Sequence, residues 1–276
     1  MPHKAILAFG VLFSLPLLVW SSIDPQSPLA ADAYPALLGF PLFLCMGAPW
    51  RLKSEVGPLA FHRIAWCALG MLAGLVSGLT ILFAAAWTVL LWMLVEAFIQ
   101  PDSDRRLQRL LLIPLFSFPW VLLDAQPLSW FFRVTGAWAA ESLLGAAGFE
   151  VARESTMLFV DDICISVGEG CAGISTLQSM LLGGTILAYA MMHAHRRFWW
   201  HVPILLAAAW LANTARVAMT GMVALSWGPA YAEGTFHEWE GLAVLVAMFA
   251  ICAGVFALLR SSPAQPDDAS SPEAAA

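Results

Sequence analysis

Apolar runs of membrane-spanning length recur along the whole chain and leave little between them from which a water-soluble core could be built. A spanning helix needs about 20 mostly apolar residues. Eight segments approach that length: 5–22, 34–50, 61–78, 79–99, 110–125, 172–192, 202–223 and 241–259. The third and fourth are separated only at Ser77-Gly78, and the fifth is short and interrupted by Pro114 and Pro119. Charged residues make up 12% of the chain, about half their share in soluble domains. The sequence therefore predicts an all-α polytopic membrane protein of about eight transmembrane helices, a single integral membrane domain over residues 1–260. The N-terminus has the basic start and apolar middle of a signal peptide. No small-x-small cleavage site follows Trp20, and further apolar segments do, so it is read as the first span.

Charge sorts by connection. His3 and Lys4 precede the first segment. Arg51, Lys53 and Arg63 lie between the second and third, and Arg105, Arg106 and Arg109 between the fourth and fifth. Arg196 and Arg197 lie between the sixth and seventh, and Arg260 follows the eighth. The alternate connections are acidic or neutral. Basic connections stay in the cytoplasm, which predicts both termini inside and the connections around 23–33, 126–170 and 224–240 outside. Thirteen tryptophans suit the interfacial belts of such a protein. The connection 126–170 is the largest extramembrane piece and is expected to form a small extracytoplasmic cap between spans five and six. Within it, Trp130, Val134, Trp138 and Leu143 recur at helical intervals, and 157–167 reads as two short strands or one bulged strand. The tail 261–276, rich in Pro, Ser, Ala and acids, predicts a disordered cytoplasmic segment.

Arg216 stands inside the seventh apolar run. A charge there is costly and by default marks a functional site with a partner nearby. It shares a helical face with Asn213 and Thr220. Cys171, in GEGCAGISTLQS, opens the sixth segment, where free N–H groups and the helix dipole favour a thiolate. On helical spacing Cys171, Ser175 and Gln178 form one polar stripe, expected to face the bundle interior because lipid cannot satisfy it. His237 lies in the connection before the eighth segment, on the same side, and imidazole transfers protons near neutral pH. Glu238 and Glu240 are placed to orient it. Nucleophile, base and anion-stabilising cation together point to acyl transfer, a chemistry recognised by roles rather than chain order.

The order EGCAGI, then NTARV, then an outer-loop histidine before the last span, resembles the exosortase/archaeosortase family over roughly residues 60–259. The resemblance implies a polytopic membrane cysteine protease and transpeptidase of the cell inner membrane, working on the outer, periplasmic face. Such an enzyme cleaves a C-terminal sorting signal (a short motif, a membrane helix and a basic tail) from exported proteins and passes them to an acceptor. It implies Cys171, Arg216 and His237 as catalytic residues, with Asn213 as the companion of Arg216; Ser175, by its place on the polar stripe, and Glu238, by its place beside His237, are read as supporting residues. Ala172 stands where the family commonly has Ser, and Ser175 where its first motif usually has Arg. The second departure removes a cation and bears on the substrate class.

Three rival readings use the same residues differently. A hydrolase would pass the acyl group to water. A transporter would bind an anion at Arg216, although no internal repeat is evident and the polar residues gather toward the outer side. An assembly subunit would leave the Cys–Arg–His set without a purpose. His193, His195 and His201 imitate a metal cluster, but they sit among Arg196, Arg197 and tryptophans and read as an interfacial anchor. Cys164 could pair with Cys171 in an oxidising compartment, which would silence the thiol. No metal or cofactor is expected, and no nucleic-acid patch or phosphate loop is present.

Overall fold

The computed structural model describes residues 2–23, 34–100, 106–160, 163–166 and 173–261. The protein is mostly helical. Four long helices open the chain: α1 (Pro2–Ile23), α2 (Tyr34–Met46), α3 (Phe61–Ser77) and α4 (Thr80–Phe98). The fifth apolar segment is three short helices, α5 (Arg106–Leu110), α6 (Leu112–Ser117) and α7 (Trp120–Asp124). Then come α8 (Gln126–Ala146) and a sheet of β1 (Val151–Glu154), β2 (Met157–Val160) and β3 (Ile163–Ser166). The second half holds α9 (Ile174–Met192), α10 (His201–Trp227), a single turn α11 (Pro229–Tyr231) and α12 (His237–Ser261).

Among the described residues four helices are long and apolar enough to cross a bilayer: Thr80–Phe98, Ile174–Met192, Arg196–Trp227 and Trp239–Ser261. The apolar helices around residues 5–16, 37–46, 61–77 and 107–117 are shorter. All eight predicted segments therefore contain helix, and in four of them the apolar helix among the described residues is 10–17 residues long. Proline explains part of the shortfall. Pro119 is the N-cap of α7, and a proline has no N–H to continue the ladder from α6.

The buried Gln178 on α9 repairs that break. Its Nε2 donates to the carbonyls of Phe116 at 2.5 Å and Phe118 at 3.3 Å, on either side of the α6–α7 junction. Buried carbonyls freed by a helix break need such a partner. At the far end of α7, Asp124 accepts from the N–H groups of Thr80 (3.1 Å) and Ile81 (2.5 Å) and so caps α4. Between these anchors lies an aromatic core. Trp87 stacks on Phe40 with centroids 5.1 Å apart, meets Phe13 and Phe118 edge-on, and donates Nε1 to the carbonyl of Leu12 at 2.9 Å. Gly74 of α3 lets α4 come close, since a Cβ there would lie 2.6 Å from the backbone nitrogen of Phe83.

The basic connections meet at one end. Lys53 donates to the carbonyl of Glu96 at 2.5 Å, Arg109 donates to the carbonyls of His193 and His195, and Arg197 reaches the carbonyl of Leu259 at 3.5 Å. At about 1.5 Å per residue, the 19 residues of α9 carry the chain some 28 Å from that end to the other.

At the other end α8 lies against α10. Trp210 Nε1 donates to Thr135 Oγ1 at 2.9 Å. Ala137, Ala140 and Leu144 of α8 pack with Val217 and Ala218 of α10 and with Leu158 and Val160 of β2. Trp130, Trp138 and Leu143, which revealed the helix in the sequence, lie on its exposed face instead. Close helix contacts in membrane proteins use small residues, so the bulky stripe marks the unpacked side. The stretch 157–167 holds the two short strands β2 and β3, and β1 joins them in an antiparallel sheet of order β1-β2-β3. Glu154 pairs with Met157, and Ser155 turns the hairpin at φ 57°. Arg153 of β1 holds Glu141 of α8 at 2.7 Å.

Candidate functional site

The site is built where α10 and α12 cross. Helical spacing puts Asn213, Arg216 and Thr220 on one face of α10. His237 and Glu240 lie three residues apart at the start of α12 and share a face in the same way. The two faces meet. Arg216 Nη2 lies 3.3 Å from His237 Nε2, and Thr220 Oγ1 donates to Glu240 Oε2 at 2.9 Å. Glu240 Oε2 is also 3.8 Å from His237 Nδ1. Gly241 leaves room beside the guanidinium, since a Cβ there would sit 3.5 Å from Arg216 Cζ.

Burial grades across the cluster. The side chain of His237 is 28% exposed and that of Glu240 is fully enclosed. Arg216 is half-buried. Among the described residues, Arg216 Nε and Glu240 Oε1 are buried without a hydrogen-bond partner. Unpaired buried polar atoms are costly and concentrate where function requires them.

Asn213 sits one turn below Arg216 with 1% exposure, and neither its Oδ1 nor its Nδ2 finds a partner among the described residues. It abuts Gly173, the N-cap of α9, which has φ 72°. A Cβ on Gly173 would lie 2.7 Å from Asn213 Cγ. Glycine is required there twice over, by the left-handed backbone and by the close side chain. Gly136 of α8 faces the same amide, its Cβ position 3.2 Å from Asn213 Nδ2.

Of the residues singled out in the sequence, Arg216, His237 and Asn213 belong to this cluster. Cys171 lies outside the described residues, and of the Glu238 side chain nothing is described. Ser175 corrects the expected stripe. It is exposed, while Gln178 is buried on the fifth segment. The stripe assumed one continuous helix from Cys171, but α9 starts at Ile174 after the left-handed Gly173; within α9, Ser175 and Gln178 are three residues apart, about 60° around the axis, and only Gln178 turns to the fifth segment. Glu240 and Thr220 are the residues whose weight the sequence understated. An acidic residue three positions after a histidine was the available signal.

The histidines at the basic end are each engaged locally. His193 Nδ1 contacts the carbonyl of Tyr189 at 2.9 Å and the buried His201 that of Phe198 at 2.6 Å, while His195 Nδ1 accepts from the N–H of Arg197 at 3.2 Å. Among the described residues no three His, Cys, Asp or Glu side chains converge as metal ligands would. Cys164 on β3 is free and exposed.

A helical bundle with four helices of spanning length, and a cation, an imidazole and a carboxylate gathered between two of them, defines a multi-pass membrane protein with a polar site in its interior. The chain belongs to the transmembrane exosortase family, whose sequence model matches residues 4–254, nearly its whole length. No curated protein and no solved structure matches it.

Proposed function

We propose that the protein is a membrane cysteine transpeptidase that cleaves a C-terminal sorting signal from exported proteins and transfers them to an acceptor. The observation that carries this reading is the 3.3 Å contact between Arg216 and His237, which brings together two residues 21 positions apart that the sequence assigned to one reaction. Family membership over residues 4–254 supports it. So does the position of Gly173 against Asn213. Cys171 stands two residues before Gly173 in the chain and lies outside the described residues.

In this reading all eight apolar segments cross the inner membrane, and the sheet and α8 belong to an extracytoplasmic cap; the tail after Ser261 lies outside the described residues. A substrate helix enters from the bilayer and leaves its cleavage motif at the outer surface. His237 Nε2 takes the proton of the Cys171 thiol as the sulfur forms a bond to the scissile carbonyl carbon, and the carbonyl electrons move onto oxygen. Arg216 stabilises that oxyanion. Collapse expels the amine, which takes its proton from His237, and leaves a thioester. His237 then removes a proton from the acceptor as the acceptor displaces the sulfur. Asn213 positions the approach to Cys171.

The test is Cys171→Ala in cells co-expressing a protein that ends in a short motif, one apolar helix and a basic tail. Processing and the trapped thioester should both vanish. Cleavage that continues in the variant overturns the assignment. The product mass then identifies the acceptor, water included.

A further inference from the structure

The cluster contains a carboxylate that the reaction above does not use. Glu240 is enclosed, and an enclosed carboxylate must be held by hydrogen bonds or charge. Thr220 supplies one bond, to Oε2 at 2.9 Å. The same oxygen faces His237 Nδ1 at 3.8 Å. On the opposite edge of the ring, Arg216 Nη2 lies 3.3 Å from Nε2. A guanidinium has only donors and a carboxylate only acceptors. A neutral imidazole between them is therefore oriented by chemistry alone. With Glu240 ionised, a ring that accepts from Arg216 at Nε2 carries its single proton on Nδ1, toward Glu240.

We propose that Glu240, steadied by Thr220, is a positioning residue that holds His237 in the tautomer with its proton on Nδ1 and its lone pair on Nε2. The spacing makes the arrangement a closed clasp. Thr220 and Arg216 are four apart on α10, and His237 and Glu240 are three apart on α12. Each pair crosses to the other. The 3.8 Å separation is an ion-pair distance rather than a hydrogen bond, which suits a carboxylate that gains most when the ring becomes charged. When Nε2 takes up a proton, the Arg216 contact changes from donor–acceptor to donor–donor and cation–cation. The guanidinium is then released from the ring while Glu240 balances the imidazolium. Only this use of the ring rests on the transpeptidase reading, since the tautomer itself needs no substrate to be observed.

The experiment uses the full-length protein in lipid nanodiscs with nitrogen-15 labelled histidine, the His237 signals being assigned by their loss in His237→Gln. The wild type should show a neutral ring protonated on Nδ1, and a wild-type ring protonated on Nε2 overturns the proposal outright. Glu240→Gln places an amide beside Nδ1 that can donate to it, so the Nε2–H tautomer should appear. Glu240→Asp keeps a carboxylate and should keep the wild-type signal. Acylation of Cys171 should fall about 100-fold or more in Glu240→Gln and recover largely in Glu240→Asp. An unchanged ring spectrum in Glu240→Gln refutes the positioning role even if Cys171→Ala abolishes processing. The expected tautomer change, alongside a Cys171→Ala variant that still cleaves, leaves the clasp standing and removes the transpeptidase.

Discussion

Gly173 packs against Asn213 so closely that a Cβ on the glycine would lie 2.7 Å from the amide carbon, and its φ of 72° is one an L-residue rarely adopts. Gly173→Ala should therefore cost about 1–2 kcal/mol in backbone strain on top of the contact, and lower the apparent melting temperature in detergent. Shortening the neighbour with Asn213→Ala in the same chain should recover the part due to contact and leave the strain. A double variant no more stable than Gly173→Ala alone would mean that contact contributes nothing.

Arg216→Lys keeps the charge but not the planar fork. The ammonium should lose the contact to His237 Nε2, and signal processing should drop about 100-fold or more, as when a preorganised donor is removed from an oxyanion site. The melting temperature should stay within a few degrees of wild type. Activity retained in the lysine variant would show that charge alone suffices.

Gln178→Leu removes the amide that bridges the carbonyls of Phe116 and Phe118. Two buried acceptors lose their donor, at about 1–3 kcal/mol each. The apparent melting temperature should fall, and proteolysis should first cut near residues 117–119. Protection of that junction in the variant would show that the carbonyls find another donor.

Asp124→Ala leaves the first N–H groups of α4 uncapped, and loss of a capping side chain costs roughly 1 kcal/mol. Stability should drop by that order while processing per folded molecule stays unchanged, because α4 is remote from the α10–α12 crossing. A proportionate loss of activity would tie α4 to the site.

The sidedness assigned from charge is open to a chemical readout. In a Cys45→Ser, Cys171→Ala background, a membrane-impermeant maleimide added to intact spheroplasts should label Cys164, which is exposed on β3. A Ser270→Cys variant of the same chain, with Cys164 replaced by Ser, should label only after lysis. The opposite pattern would invert the topology.

The sequence showed where the helices lie better than how they end. Long runs such as 79–99 and 172–192 declared themselves because lipid imposes both length and composition on a span. The fifth segment read as one interrupted run because Pro114 and Pro119 were visible, while the amide that reconnects its pieces comes from Gln178, far along the chain. β1 was missed because VARE carries no alternating apolar signal and its turn uses Ser155 where glycine or asparagine would announce a hairpin. In α8 the period was legible and the packed face was not, since Trp130, Trp138 and Leu143 take the exposed side while Ala137 and Ala140 take the packed one. Arg216 was conspicuous because a charge in an apolar run has few explanations. Glu240 was not, because the neighbouring Glu238 offered itself equally to His237, and only the crossing of α10 and α12 separates them.

One helix, α10, carries both the amide that seats Gly173 and the guanidinium that meets His237, a single turn apart. Any tilt or slide of that helix moves the two as a rigid rule. The spacing between the seat of Gly173 and the cation is thus set by the pitch of one α-helix and is insensitive to how the surrounding bundle breathes.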